Sequence, residues 1–291
     1  MLRRVAIFSK DNNPKTKDGV RKLVNEFIRH GIHVQVYHRP GDTENLIDNR
    51  TEPFADLSLL TNLPDLVLSV GGDGTFLETV LKVRELGIPV AGVNTGRMGF
   101  LANIPGEEIG TSVDQLCSGD FETIDRSLLE LKQPSGLFEG VSATALNEIT
   151  IQKANLSMIT IHVHVNDTFL NTYWADGLIV STATGSTAYN LSAGGPILSP
   201  GDESIIISPI SPHNLTIRPI VLSGNSRLRM MIEARTSECL VTCDARFRNV
   251  SISEEIHIVK SAEKLKTVML RGRDFYSTLR NRLMWGVDRR N

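Results

Sequence analysis

The chain has 291 residues, enough for about two domains with separate hydrophobic cores. Its 31 Lys and Arg residues nearly balance its 33 Asp and Glu residues, so no overall field of one sign favours nucleic acid or an anionic membrane. We therefore predict no nucleic-acid partner and no membrane partner. No apolar stretch is long enough for a signal peptide or a membrane span, which favours a cytoplasmic protein.

The first elements of the chain alternate between strand and helix patterns. Residues 5–8 form a short apolar run, residues 20–28 carry apolar side chains at helical spacing, and residues 32–36 alternate. This order predicts the strand, helix, strand unit of a parallel sheet covered by helices. Residues 40–64 are polar and irregular, and we expect a mobile loop there with at most a short helix at 57–60.

A glycine-rich turn follows the next predicted strand. Leu66, Val67, Leu68 and Val70 form an apolar run without alternation, as in a strand buried on both faces, and residues 76–81 return to helical spacing. The intervening Gly71-Gly72-Asp73-Gly74 is thus a strand-to-helix turn. Glycines bring bare N–H groups close to a ligand, and a helix start adds partial positive charge, so such a turn favours phosphate.

Asp73 stands in this phosphate-binding turn, where a carboxylate is repelled unless it contacts a metal ion or holds a hydroxyl nucleophile. Both roles belong to phosphoryl transfer. The structural alternative is a tight turn in which Asp73 caps the next helix. Neither a P-loop nor a complete dinucleotide fingerprint is present in the sequence.

A second turn follows the next strand at residues 94–101, after the apolar run 88–93. It should lie on the same carboxyl edge of the sheet as the glycine turn, and ligands of open α/β sheets bind along that edge. Arg97 is a candidate phosphate contact or a surface ion-pair member. Phe100 is a candidate stacking face for a base or a core residue.

From Phe121 onward, helical stripes give way to short β-like runs, which predict a second, mostly antiparallel domain. Asn166-Asp167 suits a two-residue hairpin turn. A last strand at 265–270 and a helix capped by Asp274 end the pattern. We predict an α/β N-terminal domain with a parallel sheet (1–122), a mostly antiparallel all-β domain (123–268), and a C-terminal strand and helix (269–291) that packs back on the first domain.

The sulfur and imidazole side chains indicate no metal site. Cys117, Cys239 and Cys243 are too few for a disulfide framework, and ordinary buried thiols are the favoured interpretation. His162 and His164 alternate on one strand face without a third ligand, as surface or cross-strand residues do.

Two further polar groups occur where a β domain does not need them. Asn147-Glu148 can bind a base edge or ribose hydroxyls, or can cap a turn. In the segment 174–196, hydroxyl side chains crowd around Gly185, a composition that lets a sugar or phosphate approach the backbone. Tyr189 could cover a ring.

Taken in order, these motifs resemble the NAD kinase family over nearly the whole chain. The motifs are residues 71–74, Asn94-Thr95-Gly96 with Gly99-Phe100, Asn147-Glu148, Asp176-Gly177, residues 184–189 with 193–196, and Thr278-Leu279-Arg280 with Trp285-Gly286. The resemblance implies transfer of the γ-phosphoryl group of ATP to the 2′-hydroxyl of the adenosine ribose of NAD, giving NADP. It also implies Mg²⁺ accompanying the ATP, a dinucleotide between the two domains, and a homodimer or homotetramer.

The resemblance also implies roles for single residues. Asp73 matches the proton acceptor, with Gly72 and Gly74 as adjoining contacts, and Phe100 matches an aromatic residue beside the adenine. Asn147 and Glu148 match the pair that grips NAD. The other implied cofactor contacts are Asp176 on the nicotinamide side, Trp174, Thr184, Gly185, Ser186, Arg246, and the loop around the adenosine, Thr187, Ala188, Tyr189, Asn190, Leu191 and Ser192.

The sequence departs from the family pattern at three places. Ala183 stands where proline is usual, which favours a looser loop, Trp174 stands where a basic residue is common, and Cys243-Asp244-Ala245-Arg246 replaces the common Asp-Gly-Gln ending. All three concern NAD contact and leave Asp73 unaffected. Because a carboxylate is a poor base for an alcohol, we expect Asp73 to orient the hydroxyl and take its proton late.

Two other functions are compatible with the glycine turn. Lipid kinases of the diacylglycerol and sphingosine type have a similar turn, but they need membrane access, and the chain offers no basic amphipathic helix or large hydrophobic loop. A dinucleotide sensor would bind without turnover. For a sensor, Asp73 in a phosphate-binding turn would weaken anion binding for no gain.

Overall fold

The computed structural model describes residues 2–11, 13–38, 50–96, 99–138 and 142–284. The chain divides into two compact units, the first comprising Met1–Asp125 and Leu265–Asn291, the second Arg126–Lys264. Each unit has a buried apolar cluster of its own.

The first unit is built on a parallel sheet. Its elements are β1 (Arg4–Ser9), α1 (Pro14–Arg29), β2 (His33–Tyr37), β3 (Thr51–Phe54), β4 (Leu66–Gly71), α2 (Asp73–Val83), β5 (Val90–Asn94), β6 (Ile104–Pro105) and α3 (Ile109–Ser118). The strand order is β3-β2-β1-β4-β5-β6. Because the chain adds strands first on one side of β1 and then on the other, a crevice forms at the carboxyl ends of β1 and β4.

Helices cover both faces of this sheet, as predicted. Leu66, Leu68 and Val70 of β4 belong to the apolar cluster that contains side chains of α1 and α3. Ser69 lies between them and faces α2, where its Oγ accepts a hydrogen bond from the Thr79 hydroxyl at 2.8 Å. All six residues of β4 are buried, which explains the absence of alternation in its sequence.

The structure differs from the expected loop at 40–64. Residues 51–54 form strand β3, which pairs in parallel with β2, and residues 39–49 lie outside the described part of the chain. The expectation of a loop was wrong at β3. Pro53 led to that expectation, because proline is disfavoured in the interior of a strand. In this sheet β3 is the edge strand, where a missing N–H costs no ladder hydrogen bond.

The second unit is a sandwich of antiparallel strands. Its elements are β7 (Phe121–Gln133), β8 (Thr144–Ala145), β9 (Glu148–Lys153), β10 (Ile159–Val165), β11 (Thr168–Ala175), β12 (Gly177–Ser181), α4 (Tyr189–Ser192), β13 (Ile205–Ile210), β14 (Ile220–Leu222), β15 (Leu228–Glu233), β16 (Glu238–Cys243), β17 (Arg246–Ser251) and β18 (Ile256–Leu270), of which β7 begins and β18 ends in the first unit. Strands β11-β10-β15-β18 form one layer and β14-β13-β12-β9-β16-β17 the other.

The buried side chains of these two layers share one apolar cluster, which confirms the predicted antiparallel β domain. The predicted hairpin turn is also confirmed, because Asn166 and Asp167 have φ values of 49° and 68°, as a two-residue turn between right-twisted strands requires. The short helix α4 and the strands β8 and β17 were not indicated by the β pattern.

Helix α5 (Phe275–Leu283) belongs to the first unit, as predicted. The Asp274 carboxylate accepts a hydrogen bond from the Ser277 N–H at 2.8 Å and caps the helix. The strands expected at 256–259 and 265–270 are one continuous strand, β18, because the polar residues between them stay extended. Within the described ranges, no helix combines the length and hydropathy needed to cross a membrane.

Candidate active site

Asp73 is the first residue of α2, directly after β4 and one N-cap glycine. Gly71 has a φ of +152°, a conformation open to glycine. At Gly72 and Gly74 an added Cβ would meet nothing within 4 Å, and both residues are exposed. The backbone on either side of Asp73 is therefore accessible to a ligand, as the phosphate-binding interpretation requires.

The Asp73 carboxylate is held by three successive backbone amides of residues 99–103, which we call the amide loop. Oδ2 accepts from the Phe100 N–H at 3.0 Å. Oδ1 accepts from the Leu101 N–H at 3.1 Å and from the Ala102 N–H at 3.0 Å. Since a carboxylate offers about four acceptor positions, one position on Oδ2 remains. The half-buried carboxylate is thus fixed in direction and keeps one open acceptor.

Gly99 is required by this arrangement, although it stood out in the sequence only as part of a family motif. An added Cβ at Gly99 would overlap Oδ1 of Asp73. The middle of the amide loop also rests on Gly92 of β5, where an added Cβ would meet the Leu101 carbonyl and the Ala102 backbone. The loop and the carboxylate therefore need two glycines to reach each other.

Phe100 lies on the outer side of the amide loop and is half-buried. Its ring centroid is 6.3 Å from that of Phe275, and the Arg282 guanidinium lies 5.5 Å from it. The first unit thus brings together Asp73, its glycines and Phe100. Arg97 and the motif residues Trp285 and Gly286 lie outside the described residues.

In the second unit, Asn147 and Glu148 begin strand β9 and are held by another aspartate. The Asp244 carboxylate accepts from the N–H groups of Leu146 and Asn147 at 2.8 Å each and of Glu148 at 3.2 Å. Asp244 occupies the turn between β16 and β17 with a φ of 51°, which Asp tolerates better than most residues. Burial raises the Asp244 pKa, and the three amides oppose that rise.

The Glu148 side chain is poised for a hydrogen-bond donor. Its Oε2 is buried, and nothing in the described part of the chain donates to it. Burial, together with the nearby Asp244 charge, raises the pKa of Glu148 to about 8, while the Tyr189 N–H opposes that rise. A ligand hydroxyl would satisfy this oxygen, which fits the predicted contact with a ribose.

Residues 182–192, which include the predicted adenosine loop 187–192, pack against the Asn147 backbone. The Thr182 hydroxyl donates to the Leu146 carbonyl at 2.6 Å, and an added Cβ at Gly185 would overlap the Asn147 carbonyl oxygen. Ala183, where the sequence predicts a looser loop, is buried, and its carbonyl accepts a hydrogen bond from the Ser186 hydroxyl at 2.6 Å. The loop and the Asn147-Glu148 pair form one site in this unit.

Two predicted ligand contacts in this loop instead hold the loop together. The Ser186 hydroxyl accepts from the Leu198 N–H at 3.0 Å. The Asn190 amide donates to the Ser186 and Pro196 carbonyls and accepts from the Ser208 hydroxyl at 2.6 Å. Both side chains are fully buried, as Thr184 nearly is. The accessible positions of the loop are Thr187, Ala188, Tyr189, Leu191 and Ser192.

Asp176 and Trp174 lie away from this group. In the register of β12 with β9, Gly177 pairs with Gln152 and Ser181 with Glu148, so Asp176 and Glu148 are at opposite ends of β12. The two ends of β12 are four residue steps apart, a distance of about 14 Å along the strand. The Asp176 carboxylate accepts from Lys153 Nζ at 2.6 Å and lines a cavity of about 560 Å³, and Trp174 is exposed.

Arg246 is bound by the backbone of its own unit. Its guanidinium donates to the carbonyls of Ser142 at 2.9 Å and Thr144 at 2.5 Å, and it lies 4.9 Å from the Phe138 ring centroid. The structure therefore places its charge against the backbone at residues 142–144.

Cys239 and Cys243 are buried thiols, as predicted, whereas Cys117 is half-buried. Cys239 and Cys243 are buried and free, and burial raises their pKa to about 11 and about 12. Within the residues the structure describes, no group of three or more His, Cys, Asp and Glu side chains could hold a metal ion. His162 instead contacts the Thr172 hydroxyl at 2.9 Å.

Comparison with known proteins identifies the family. The ATP-NAD kinase N-terminal domain model matches residues 5–121, and the ATP-NAD kinase C-terminal domain model matches residues 146–270. The chain belongs to the NAD kinase family. It is 45% identical over 229 residues to an NAD kinase of Cytophaga hutchinsonii, a match that covers 78% of each chain.

Two solved structures are similar to the fold. An NAD kinase from Archaeoglobus fulgidus in complex with ATP has a TM-score of 0.77 and 25% identity, covering 97% of this chain and 98% of that one. Yeast NADH kinase complexed with NADH has a TM-score of 0.83 and 24% identity, covering 100% and 90%. The family membership confirms the resemblance and an enzymatic kinase function, and it decides against a lipid kinase.

Proposed function

We propose that this enzyme transfers the γ-phosphoryl group of ATP to the 2′-hydroxyl of the adenosine ribose of NAD, with Asp73 as the residue that holds that hydroxyl. The observation that carries the proposal is the carboxylate fixed by three amides with one acceptor position left. A group held in this way is aligned before the substrate arrives, and alignment supplies much of the catalysis in phosphoryl transfer.

The proposed chemistry follows from that open position. The hydroxyl donates its hydrogen bond to Oδ2 of Asp73, which points the oxygen at the γ-phosphorus. As the new oxygen–phosphorus bond forms, the bond to the β–γ bridging oxygen breaks and ADP leaves. The hydroxyl proton passes to Asp73 late in the step, when the oxygen has become acidic. The exposed backbone of Gly72 and Gly74 receives the phosphates.

The remaining substrate contacts are proposed from the second unit and the amide loop. Glu148, through its buried Oε2, and Asn147 bind ribose hydroxyls. The accessible residues of the loop 187–192 surround the adenosine, and Phe100 lies beside the adenine. Asp176 contacts the nicotinamide side. The ATP and NADH named for the two similar structures support both substrates.

Magnesium is proposed to arrive with ATP. The turn fits such a complex, because Gly72 and Gly74 leave open space beside the backbone for the phosphates that carry the ion. When bound, the ion neutralises charge on the phosphates. We further propose a cytoplasmic homodimer or homotetramer.

The test is product analysis with the purified chain. Incubation with NAD, ATP and Mg²⁺ should yield a dinucleotide with a 2′-phosphate resonance in phosphorus NMR. Excess EDTA should lower the initial rate by at least about 100-fold, and added Mg²⁺ should restore it. If calorimetry shows NAD binding while no phosphorylated product accumulates, the chain is a sensor and the proposal fails.

A further inference from the structure

The amide loop that fixes Asp73 is itself held by residues far away in the sequence. These residues lie in the segment 269–282, which joins the end of β18 to helix α5 and which we call the C-terminal strap. Both the loop and the strap belong to the first unit. The strap touches the loop near each of its ends.

At the C-terminal end of the loop, the contact is polar. Arg273 Nη1 donates to the Asn103 carbonyl at 2.9 Å, while its Nη2 pairs with Glu108. The Asn103 side chain also approaches Met269 Sδ at 3.5 Å. Arg273 is therefore bonded on one side to the loop and on the other to the start of α3, which fixes the guanidinium in a single direction.

At the N-terminal end of the loop, the contact is aromatic. Phe275 and Arg282 are seven residues apart on α5, so they lie on one face of the helix, and both face the Phe100 ring. The helix is anchored by the Asp274 cap and by the buried Leu279. The Phe100 N–H is one of the three donors to Asp73, so the ring contact sets the position of a donor.

We propose that Arg273 and Phe275 are positioning residues for catalysis, acting through the amide loop on the Asp73 carboxylate. The proposal rests on the proposed role of Asp73. A displacement of the loop by a fraction of an ångström shifts all three donors together and turns the open acceptor position away from the hydroxyl. Misplacement of a catalytic group by about 1 Å can cost about 100-fold in rate.

Arg273→Met, with Arg271→Met as matched control, tests this. Arg271 lies two residues away in the strap and pairs with Asp120 instead of the amide loop. We expect Arg273→Met to lower kcat by about 10- to 100-fold with KM for ATP changed less than about 3-fold. Arg273→Lys should recover most of the loss, and Arg271→Met should stay near wild type. Equal kcat values for Arg273→Met and Arg271→Met would overturn the proposal.

Hydrogen exchange gives a readout independent of activity. Amide exchange at residues 100–102 should be faster in Arg273→Met and in Phe275→Ala than in Arg271→Met, because the strap restrains those N–H groups. Unchanged exchange at these amides also contradicts the proposal. If Asp73→Asn turns over normally, the proposed function fails first. If Asp73→Asn is inactive but Arg273→Met behaves like its control, the strap inference alone fails.

Discussion

Two aspartates of this chain each accept hydrogen bonds from three consecutive backbone amides. Asp73 does so with residues 100–102, and Asp244 with residues 146–148. Charge-assisted bonds to backbone N–H groups are strong and directional. They serve different ends here: Asp73 keeps an acceptor beside an exposed turn, whereas Asp244 fixes the backbone from which Asn147 and Glu148 extend.

Gly99→Ala should impair turnover although it leaves every reacting side chain in the sequence. The new Cβ would overlap Oδ1 of Asp73, so the carboxylate must shift. We expect kcat to fall by about 100-fold in a steady-state assay. Gly110→Ala is the matched control, because Gly110 is in α3 with open space around its Cα. That control should keep wild-type kcat; equal kcat in both variants would show that Asp73 tolerates displacement.

Glu148 should make the ligand-free protein less stable at alkaline pH. Its folded pKa of about 8 exceeds its ordinary value of 4.5, so the folded state binds more protons than the unfolded state between these values. This contribution is fully present below about pH 4.5 and is lost as the pH rises through 8.

Thermal unfolding of wild type and Glu148→Gln between about pH 5 and pH 8 measures the effect. The wild-type midpoint should fall by about 5 °C more than that of the variant, whose side chain stays neutral throughout. Titrating groups that do not interact with Glu148, unlike Asp244, contribute equally to both proteins. If the melting midpoints of the two proteins fall by the same amount over this pH range, burial does not raise the pKa of the Glu148 carboxyl.

At the scale of elements, the strand–turn–helix unit of β4 and α2 was predictable from local pattern. A continuous apolar run, three glycines and a return to helical spacing indicated it, and the structure confirms it. Strand β3 was missed because an edge strand admits Pro53. The sequence predicted β18 as two strands because residues 260–264, which lie between them, are largely polar. In the structure these residues are nevertheless extended.

Asp73 in the first unit and Asn147-Glu148 in the second were predictable, but their supports were not. The sequence identifies Asp73 by its glycine turn and Asn147-Glu148 by its motif. The groups that hold them are backbone N–H donors and an aspartate about 30 to 100 positions away, as with Ala102 for Asp73 and Asp244 for Asn147. Every non-proline residue carries an N–H, so no side-chain pattern marks the ones that are used. The sequence contained one indication of Asp244, namely an aspartate between two β runs.

Asp244, in the turn between β16 and β17, should affect NAD binding. In Asp244→Asn one carboxylate oxygen becomes an NH2 group facing a backbone donor, which costs about 1–3 kcal/mol of unfolding free energy. We expect KM for NAD to rise by about 10-fold while kcat changes less than about 3-fold.

Asp167→Asn, in the turn of another hairpin, is the control for Asp244→Asn. Asp167 occupies the turn between β10 and β11 with a φ of 68° and is exposed. Its KM and melting temperature should stay near wild type. If Asp244→Asn lowers kcat and leaves KM unchanged, the assignment of Asn147 and Glu148 to NAD binding is wrong.

At the scale of the whole molecule, the fold class follows from the order of patterns along the chain. Helical stripes occur before Phe121 and β runs after it, and the structure shows a parallel α/β unit and an antiparallel unit accordingly. The last helix returns to the first unit, where its strap reaches the amide loop. The family motifs are therefore divided between two separately packed cores, one with Asp73 and one with Asn147 and Glu148.

The central claim, that one carboxylate steers the accepting hydroxyl, is tested most directly by Asp73→Asn at saturating NAD and ATP. The variant should keep the wild-type circular dichroism spectrum and bind NAD with a dissociation constant within about 3-fold of wild type. Its kcat should be lower by about 100- to 10,000-fold, the usual range for a lost general base. Turnover within about 3-fold of wild type would contradict the account.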